Sequence, residues 1–594
     1  MPQRIHVRRG AALAMIAAGA ALAQAGSAHA AVTAEATASA ATLRGSDDGE
    51  VVVVTATGGF LSHNLATDPG FTSALDWDST APGDQSLLAD NSVTIVVHAL
   101  GGADTVDFRA GLGVNQAVVD AGAGDDVVFG SSVGDTIAGG DGDDLVVPGP
   151  GNDVAGGGDG SDTLVWNNGD GTDTLDGGGG ADAVQVNGSP AAADSFVISA
   201  SGERVRLDRL SPGPFSLDIG SAERLEVDAL GGDDLVAAGG GLASLILLIL
   251  TGGAGADRID GGDGPDLIQG GDGADVLNGG VGDDRLVGNR GNDAMVGGDG
   301  DDTLVWNNGD GTDTANGDAG QDTTEVNGAP GAGDAFTVAP DGQRVRFERT
   351  NLGPFSIDML TESLDLNALG GDDTLSVANG AAVHVDADGG SGADALTGSD
   401  GDETLRGGSG NDTLKGGTGS DTLDGGDGDD AIDARDAAGD LVRCGTGTDR
   451  ATLDAASVDP QTGCETVDRS PEGAVAPRFG AVLVRATRVP ARGRRVRIPL
   501  RCPANPAGGC RGELILQTAK PVRAGGPRAI VRLGSARFTL PAGRAGAATI
   551  RLPAGFALLA PAGAKTLAAR IRLYNRGGVF QSRRLAITLP KRAR

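Results

Sequence analysis

Aromatic side chains make up only 3% of this 594-residue chain. Phe, Tyr and Trp supply the largest buried areas of an ordinary core, so their scarcity argues against a single large globular core. Histidine occurs five times, at His6, His29, His63, His98 and His384. None lies in H-E-x-x-H, which removes the helical zinc-protease site. His98 and His384 fall in strand patterns and read as structural. No apolar run reaches the roughly 20 residues of a membrane-spanning helix; Leu242–Leu250 reads as a buried strand. The one G-x-S-x-G match, Gly130 to Gly134, has no strand–elbow–helix context around it and is not read as a nucleophile. Aspartate is missing from 471–594, where 25 Lys and Arg face only Glu472 and Glu513. Residues 1–470 are left with 21 basic against 79 acidic side chains, so the formal net charge of −35 understates their acidity.

Glycine, by contrast, occurs 103 times, and much of it falls in a frame. From Gly252 to Val305 six nonapeptides follow one another in unbroken register as G-G-x-G-x-D-x-U-x. The apolar place U holds Ile259, Ile268, Leu277, Leu286, Met295 and Leu304. A flexible Gly/Asp linker would not keep an apolar residue at every eighth place. The glycines let the backbone enter φ > 0 without a Cβ clash, so six residues can form a tight turn. The x-U-x triplet is then a short strand with one side chain facing inward. Two nonapeptides make one coil of a flattened roll, and coils stack at about 4.8 Å. Stacked turns bring carbonyls and aspartates of neighbouring coils together, and such hard oxygens suit Ca²⁺.

Three such arrays are present. The first, 121–186, places aspartates at Asp126, Asp144, Asp153, Asp162, Asp173 and Asp182. The second, 252–326, has Asp257, Asp266, Asp275, Asp284, Asp293, Asp302, Asp313 and Asp322. The third, 389–433, has Asp394, Asp412, Asp421 and Asp430. These repeats resemble the RTX (haemolysin-type) calcium-binding family, for which this nonapeptide and its calcium-binding parallel β-roll are the known signature. The resemblance implies several bound Ca²⁺ ions with these aspartates as ligands. Val133 in place of the fourth glycine, Glu403 in place of an aspartate and Asp318 in place of a glycine predict poorer sites in their repeats. Trp166-Asn167 and Trp306-Asn307 interrupt the frame by two residues and read as structural, plugging the roll or capping a local bulge, with sugar stacking as the alternative.

Between the arrays lie β units. Residues 194–234 and 334–373 share a strand–turn–strand–strand pattern ending in A-L-G-G-x-D, and W-N-N-G-D-G-T-D-T begins at both Trp166 and Trp306. The chain thus carries an internal duplication, with a degenerate third copy of the β unit near 50–110, within an N-terminal β unit of 31–120. Residues 1–30 resemble a secretory signal peptide, with Arg4, Arg8 and Arg9 before an apolar stretch and Ala28-His29-Ala30 as the cleavage site. The Arg8-Arg9 pair leaves open whether export is by the general or the twin-arginine route. Residues 434–470 form an expected roll cap holding Cys444 and Cys464. Short alternating strands between Pro/Gly turns predict an immunoglobulin-like sandwich over 471–594. Four cysteines in an exported chain suit two disulfides; of three pairings, the local one, Cys444–Cys464 and Cys502–Cys510, is expected.

The fold expected is therefore all-β: calcium-binding parallel β-roll arrays, 187–251 and 327–388 as β inserts, and a basic β-sandwich. A chain this acidic and poor in large apolar residues should be disordered alone, so calcium binding and folding should be one event. The function expected is a secreted, non-enzymatic, calcium-dependent structural or adhesive envelope component. Its partners would be calcium and an anionic envelope polymer or another cell surface. Nucleic acid is not expected, since basic residues alternate with apolar ones and stacking aromatics are few. A calcium sink, an enzyme hidden in the β units and a lytic RTX effector are the competing readings.

Overall fold

The computed structural model describes residues 94–109, 116–436, 438–454 and 458–469, with separate short stretches within 33–88 and 488–588. The expected signal peptide and Cys502 lie outside the described residues. All described elements are strands, and among the described residues no helix is long and apolar enough to cross a membrane. The chain divides into two compact units, Met1–Asp182 and Ala183–Arg594.

In the first unit, successive strands alternate between two parallel sheets. Ala117–Ala123, Thr136–Asp141, Val154–Gly160 and Asp173–Gly180 pair in order in one sheet. Thr105–Asp107, Val127–Phe129, Leu145–Val147 and Thr163–Asn167 pair in order in the other. The second unit repeats this. Arg258–Asp260, Val276–Val281, Ala294–Asp299 and Asp313–Ala319 form one ladder. Leu247–Ala254, Leu267–Gly273, Arg285–Gly291 and Thr303–Asn307 form the other. One coil is thus two nonapeptides, as the frame requires. The eighth residue of each points inward: Ile268 stacks on Leu286 and Leu277 on Met295 in register, all at most 1% exposed. One aliphatic side chain per nonapeptide, stacked on its own kind, makes the interior, so aromatics are not needed there.

The glycines are demanded by the stacking distance. Gly271 and Gly273 have φ of 125° and 155°. A Cβ on them would fall 1.8 Å from the Gly253 carbonyl oxygen and 1.4 Å from that of Gly255, one coil below. Any side chain would push the coils apart.

The β inserts add antiparallel strands to one sheet of the roll. Ala335–Asp341, Arg344–Arg349 and Phe355–Leu360 form a meander. Its outer strands pair in parallel with Thr374–Val377 and Asp313–Ala319, the neighbouring coils. Ser195–Ser201, Arg204–Ser211 and Phe215–Gly220 form a second meander, whose first strand pairs in parallel with Leu235–Ala238. Here the few aromatics gather: Trp306 stacks on Phe355 at 3.6 Å, with Phe336 and Phe347 beside them. Both frame-breaking tryptophans are buried, and their indole N–H groups donate to the carbonyls of Gly171 and Gly311 at 3.0 and 3.1 Å. Enclosed and bonded in this way, they fit the structural reading.

The expected strand Leu242–Leu250 begins only at Leu247, after a turn, and is not buried throughout: Leu242, Leu248 and Leu250 are inside, while Leu247 is 41% exposed at the start of Leu247–Ala254. Cys444–Cys464 is a disulfide, tying Leu441–Thr446 to the segment beyond it. Toward the C-terminus, Arg532–Leu540, Cys510–Thr518, Thr566–Asn575 and Gly578–Thr588 pair antiparallel in that order. Arg488–Arg492 continues from Gly578–Thr588 in parallel and passes to Arg495–Arg501, which pairs with Ala545–Arg551. One cluster, including Val496, Ile498, Leu514, Leu516, Ile550 and Ile587, fills the inside.

Candidate metal centre

Every aspartate at the sixth place of the frame is buried, none more than 4% exposed. The turn that precedes the short strand points it inward, where water cannot reach it. One carboxylate oxygen has a fixed task. Oδ1 of Asp275 accepts the backbone N–H of Asp257 at 2.8 Å, and Oδ1 of Asp293 accepts that of Asp275 at 2.9 Å. Asp266, Asp284 and Asp302 form a second column by the same rule. Each aspartate therefore holds the coil before it, at a separation of 18 residues.

The columns take in all the sequence-predicted residues. Asp126, Asp144, Asp162 and Asp182 form one, and Asp153 and Asp173 belong to another. Asp257, Asp275, Asp293 and Asp313 alternate with Asp266, Asp284, Asp302 and Asp322. Asp394, Asp412 and Asp430 form a further column, and Asp421 stands opposite it. Where a tryptophan interrupts the frame the spacing becomes 20, as from Asp293 to Asp313. The columns also take in residues the nonapeptide frame misses. Asp104, Asp194, Asp234, Asp334, Asp373, Asp440, Asp449 and Asp459 all occupy the same structural place. The A-L-G-G-x-D endings were the available signal for Asp104, Asp234 and Asp373, because their aspartate is sixth from the alanine.

The second oxygen divides the columns into two kinds. Oδ2 is buried without a hydrogen-bond partner in Asp126, Asp144, Asp153, Asp162 and Asp173 of the first array. The same holds for all eight aspartates of the second array and all four of the third. A buried carboxylate oxygen without a partner is costly. Burial pushes Asp153, Asp266 and Asp421 up to about 8, and Asp144, Asp275, Asp302, Asp313 and Asp322 to about 7. Neighbouring carboxylates, chiefly of the same columns, push the same way, and the backbone donors only partly offset them.

Elsewhere the protein supplies the partner. Oδ2 of Asp135 accepts the Ser131 N–H at 2.6 Å, and the Ser399 N–H donates to Oε2 of Glu403 at 3.0 Å. Asp194 and Asp334 take the N–H of Ser189 and Ala329 on Oδ2. On Oδ1 they face the buried guanidinium groups of Arg209 and Arg349, at 2.5 and 3.4 Å. In each insert an arginine is the cation. The two repeats expected to be poor through Val133 and Glu403 are thus the ones whose carboxylate is already engaged. The third, Asp318, keeps φ at 61°, and Asp322 keeps its unpartnered Oδ2, so the geometry does not set that repeat apart.

Among the described residues no three metal-ligating side chains cluster. A cation in the columns would take one carboxylate oxygen and fill its shell with carbonyls, which the stacked turns offer. The carbonyl of Gly288 and Oδ2 of Asp275 both crowd the space where a Cβ on Gly270 would lie, at 2.7 and 2.3 Å. Carboxylate and carbonyl oxygens without nitrogen or sulfur donors are what Ca²⁺ takes. Asp275→Ala should therefore lower calcium stoichiometry and cooperativity in a calorimetric titration, and Glu403→Ala should do so less. Equal effects would contradict the division into engaged and unpartnered carboxylates.

A family model described as RTX calcium-binding nonapeptide repeat (4 copies) matches residues 120–155, 129–164, 168–185, 251–286, 269–304, 387–414 and 406–437. No curated protein matches the chain.

Proposed function

For a chain built on RTX calcium-binding nonapeptide repeats, we propose a secreted, non-enzymatic role as a structural or adhesive part of the cell envelope, assembled when external calcium is met. Calcium binding belongs to the repeats themselves. The observation that carries the rest is the series of columns of buried, unpartnered carboxylates. Without a cation each column is a line of buried negative charge, and the chain is kept extended by its own repulsion. With the cation, each coil is clamped to the next. The low calcium of a cell interior favours the first state and the outside favours the second. The sequence carries no H-E-x-x-H and its one G-x-S-x-G lies within the repeat frame, while its length is spent on repeats and inserts that stack.

The role of 471–594 follows from charge. Its 25 Lys and Arg against two Glu suit a polyanionic envelope polymer, with an attraction screened over about 8–10 Å. The test is to mix the full chain, and a chain ending at residue 470, with envelope preparations. The full chain should bind and wash off in high salt, and the shortened chain should stay in solution. Equal binding by both would remove the tethering role from the basic segment. Binding of neither, with or without calcium, would remove the envelope role.

A further inference from the structure

Two acidic corners outside the nonapeptide arrays, Ala229–Asp234 and Ala368–Asp373, carry a backbone that their sequence does not favour. Leu230 has φ of 70° and Leu369 of 75°. A residue with a Cβ is strained in this region. The Leu369 side chain is 45% exposed, so burial does not offset that strain. Strain of this kind persists where the surroundings require it.

The same place in the arrays shows what is required. It is the second glycine of the frame, with φ of 104° at Gly253 and 91° at Gly390. Coils with this left-handed residue place their carbonyls alike. A Cβ on Gly271 would meet the Gly253 oxygen at 1.8 Å, and one on Gly253 or Gly390 would meet the oxygen of Leu230 or Leu369 at 2.2 Å. A Cβ on Gly255 or Gly392 would meet the oxygen of Gly232 or Gly371 at 1.5 and 1.7 Å, as Gly273 meets that of Gly255. The two corners thus present the oxygens of an array coil to the coil that follows them.

Their aspartates match as well. Asp234 and Asp373 are 3% and 0% exposed. Oδ1 of each accepts the N–H of the preceding column member, Asp194 or Asp334. Oδ2 of each is buried and unpartnered. The preceding corners behave otherwise. Ser189 and Ala329 are not left-handed, and their N–H groups point into the carboxylates of Asp194 and Asp334 at 2.6 and 2.7 Å. The backbone at the second place therefore separates a carboxylate whose second oxygen meets an amide from one whose second oxygen is left unpartnered.

We propose that Asp234 and Asp373 are calcium ligands of two further sites, lying between each A-L-G-G-D-D corner and the array coil after it, and that Asp194 and Asp334 hold none. The proposal rests on the calcium reading of the arrays and extends it to segments that the repeat family does not match. Native mass spectrometry of the full chain in calcium tests it. Asp234→Asn and Asp373→Asn should each lower the number of tightly bound ions, and Asp194→Asn and Asp334→Asn should leave it unchanged. Leu369→Gly should keep the count, since glycine reaches the same dihedral unstrained. A wild-type count in Asp373→Asn, or an equal loss in Asp334→Asn, overturns the proposal. Anomalous diffraction from calcium-loaded wild-type crystals gives the answer even if a variant misfolds. Peaks should stand beside Asp234 and Asp373 and not beside Asp194 and Asp334. Peaks in the arrays with none at the two corners would overturn this inference alone; a wild-type chain that binds no calcium would overturn the array reading with it.

Discussion

In buffer stripped of calcium, the full chain should hold its β-structure near pH 5 and lose it as the pH is raised toward 8. The array carboxylates are responsible. Burial first, then neighbouring charges, pushes Asp284 and Asp293 up to about 6, Asp275 and Asp302 to about 7 and Asp266 and Asp421 to about 8, from an ordinary 3.8. An acid whose folded value is raised stabilises the fold in its protonated form. That contribution is complete below the unfolded value near 3.8 and is lost as the pH rises through 6 to 8. Protons and calcium are then alternative ways of neutralising one set of buried oxygens. At about pH 8, added calcium should restore the β signal in circular dichroism, and the calcium needed should rise as the pH falls, because ions must displace protons. Sodium chloride should not substitute. It screens the exposed charges of the acidic chain but does not enter the columns. A chain equally rich in β-structure at pH 8 with and without calcium would refute this coupling.

The same columns show how far the residues could be read in advance. The nine-residue frame is legible because both of its demands are local. Gly273 must lack a Cβ to lie under the Gly255 carbonyl, and Leu277 must be apolar to stack on Met295. Each demand recurs at the coil spacing, so it shows as a period. The pairing of nonapeptides into coils follows from the same period. What the frame hides is the state of each carboxylate, since that depends on one dihedral four or five residues earlier. Ser131 and Ser399 turn their amides inward where glycine would not. Val133 and Glu403 mark those two repeats as irregular, but the engagement of their carboxylates lies with the serine amides. Leu230 and Leu369 are harder still, because a leucine gives no hint of a left-handed backbone. The arginines of the inserts were legible only as charges within strands. That they stand against column aspartates depends on a meander folding back over the roll.

Arg349→Met should be among the most destabilising single changes in the calcium-loaded protein. Arg349 is only 4% exposed. Its guanidinium faces Asp334 at 3.4 Å, donates to the Asn308 side chain at 2.7 Å and to the Gly353 carbonyl at 3.2 Å, and lies over Trp306 and Phe355. Methionine retains the length of the stem and its packing on the rings, so the change removes mainly the charge and its donors. Asp334 cannot escape to water, because its own N–H is held by Asp373 and its Oδ2 by the Ala329 N–H. Removing one partner of a buried pair costs about 3–5 kcal/mol, most of it the stranded charge rather than the lost attraction. Urea unfolding in saturating calcium should show a loss of that size. Asp334→Asn combined with Arg349→Met should recover a large part of it, since the amide leaves no charge to strand. Calcium stoichiometry should stay at the wild-type value in both, because an amide already occupies the second oxygen of this carboxylate. A double variant no more stable than Arg349→Met would show that the arginine acts by filling space between the rings. A gain of one bound ion in Arg349→Met would show that the column position accepts calcium once its built-in cation is gone.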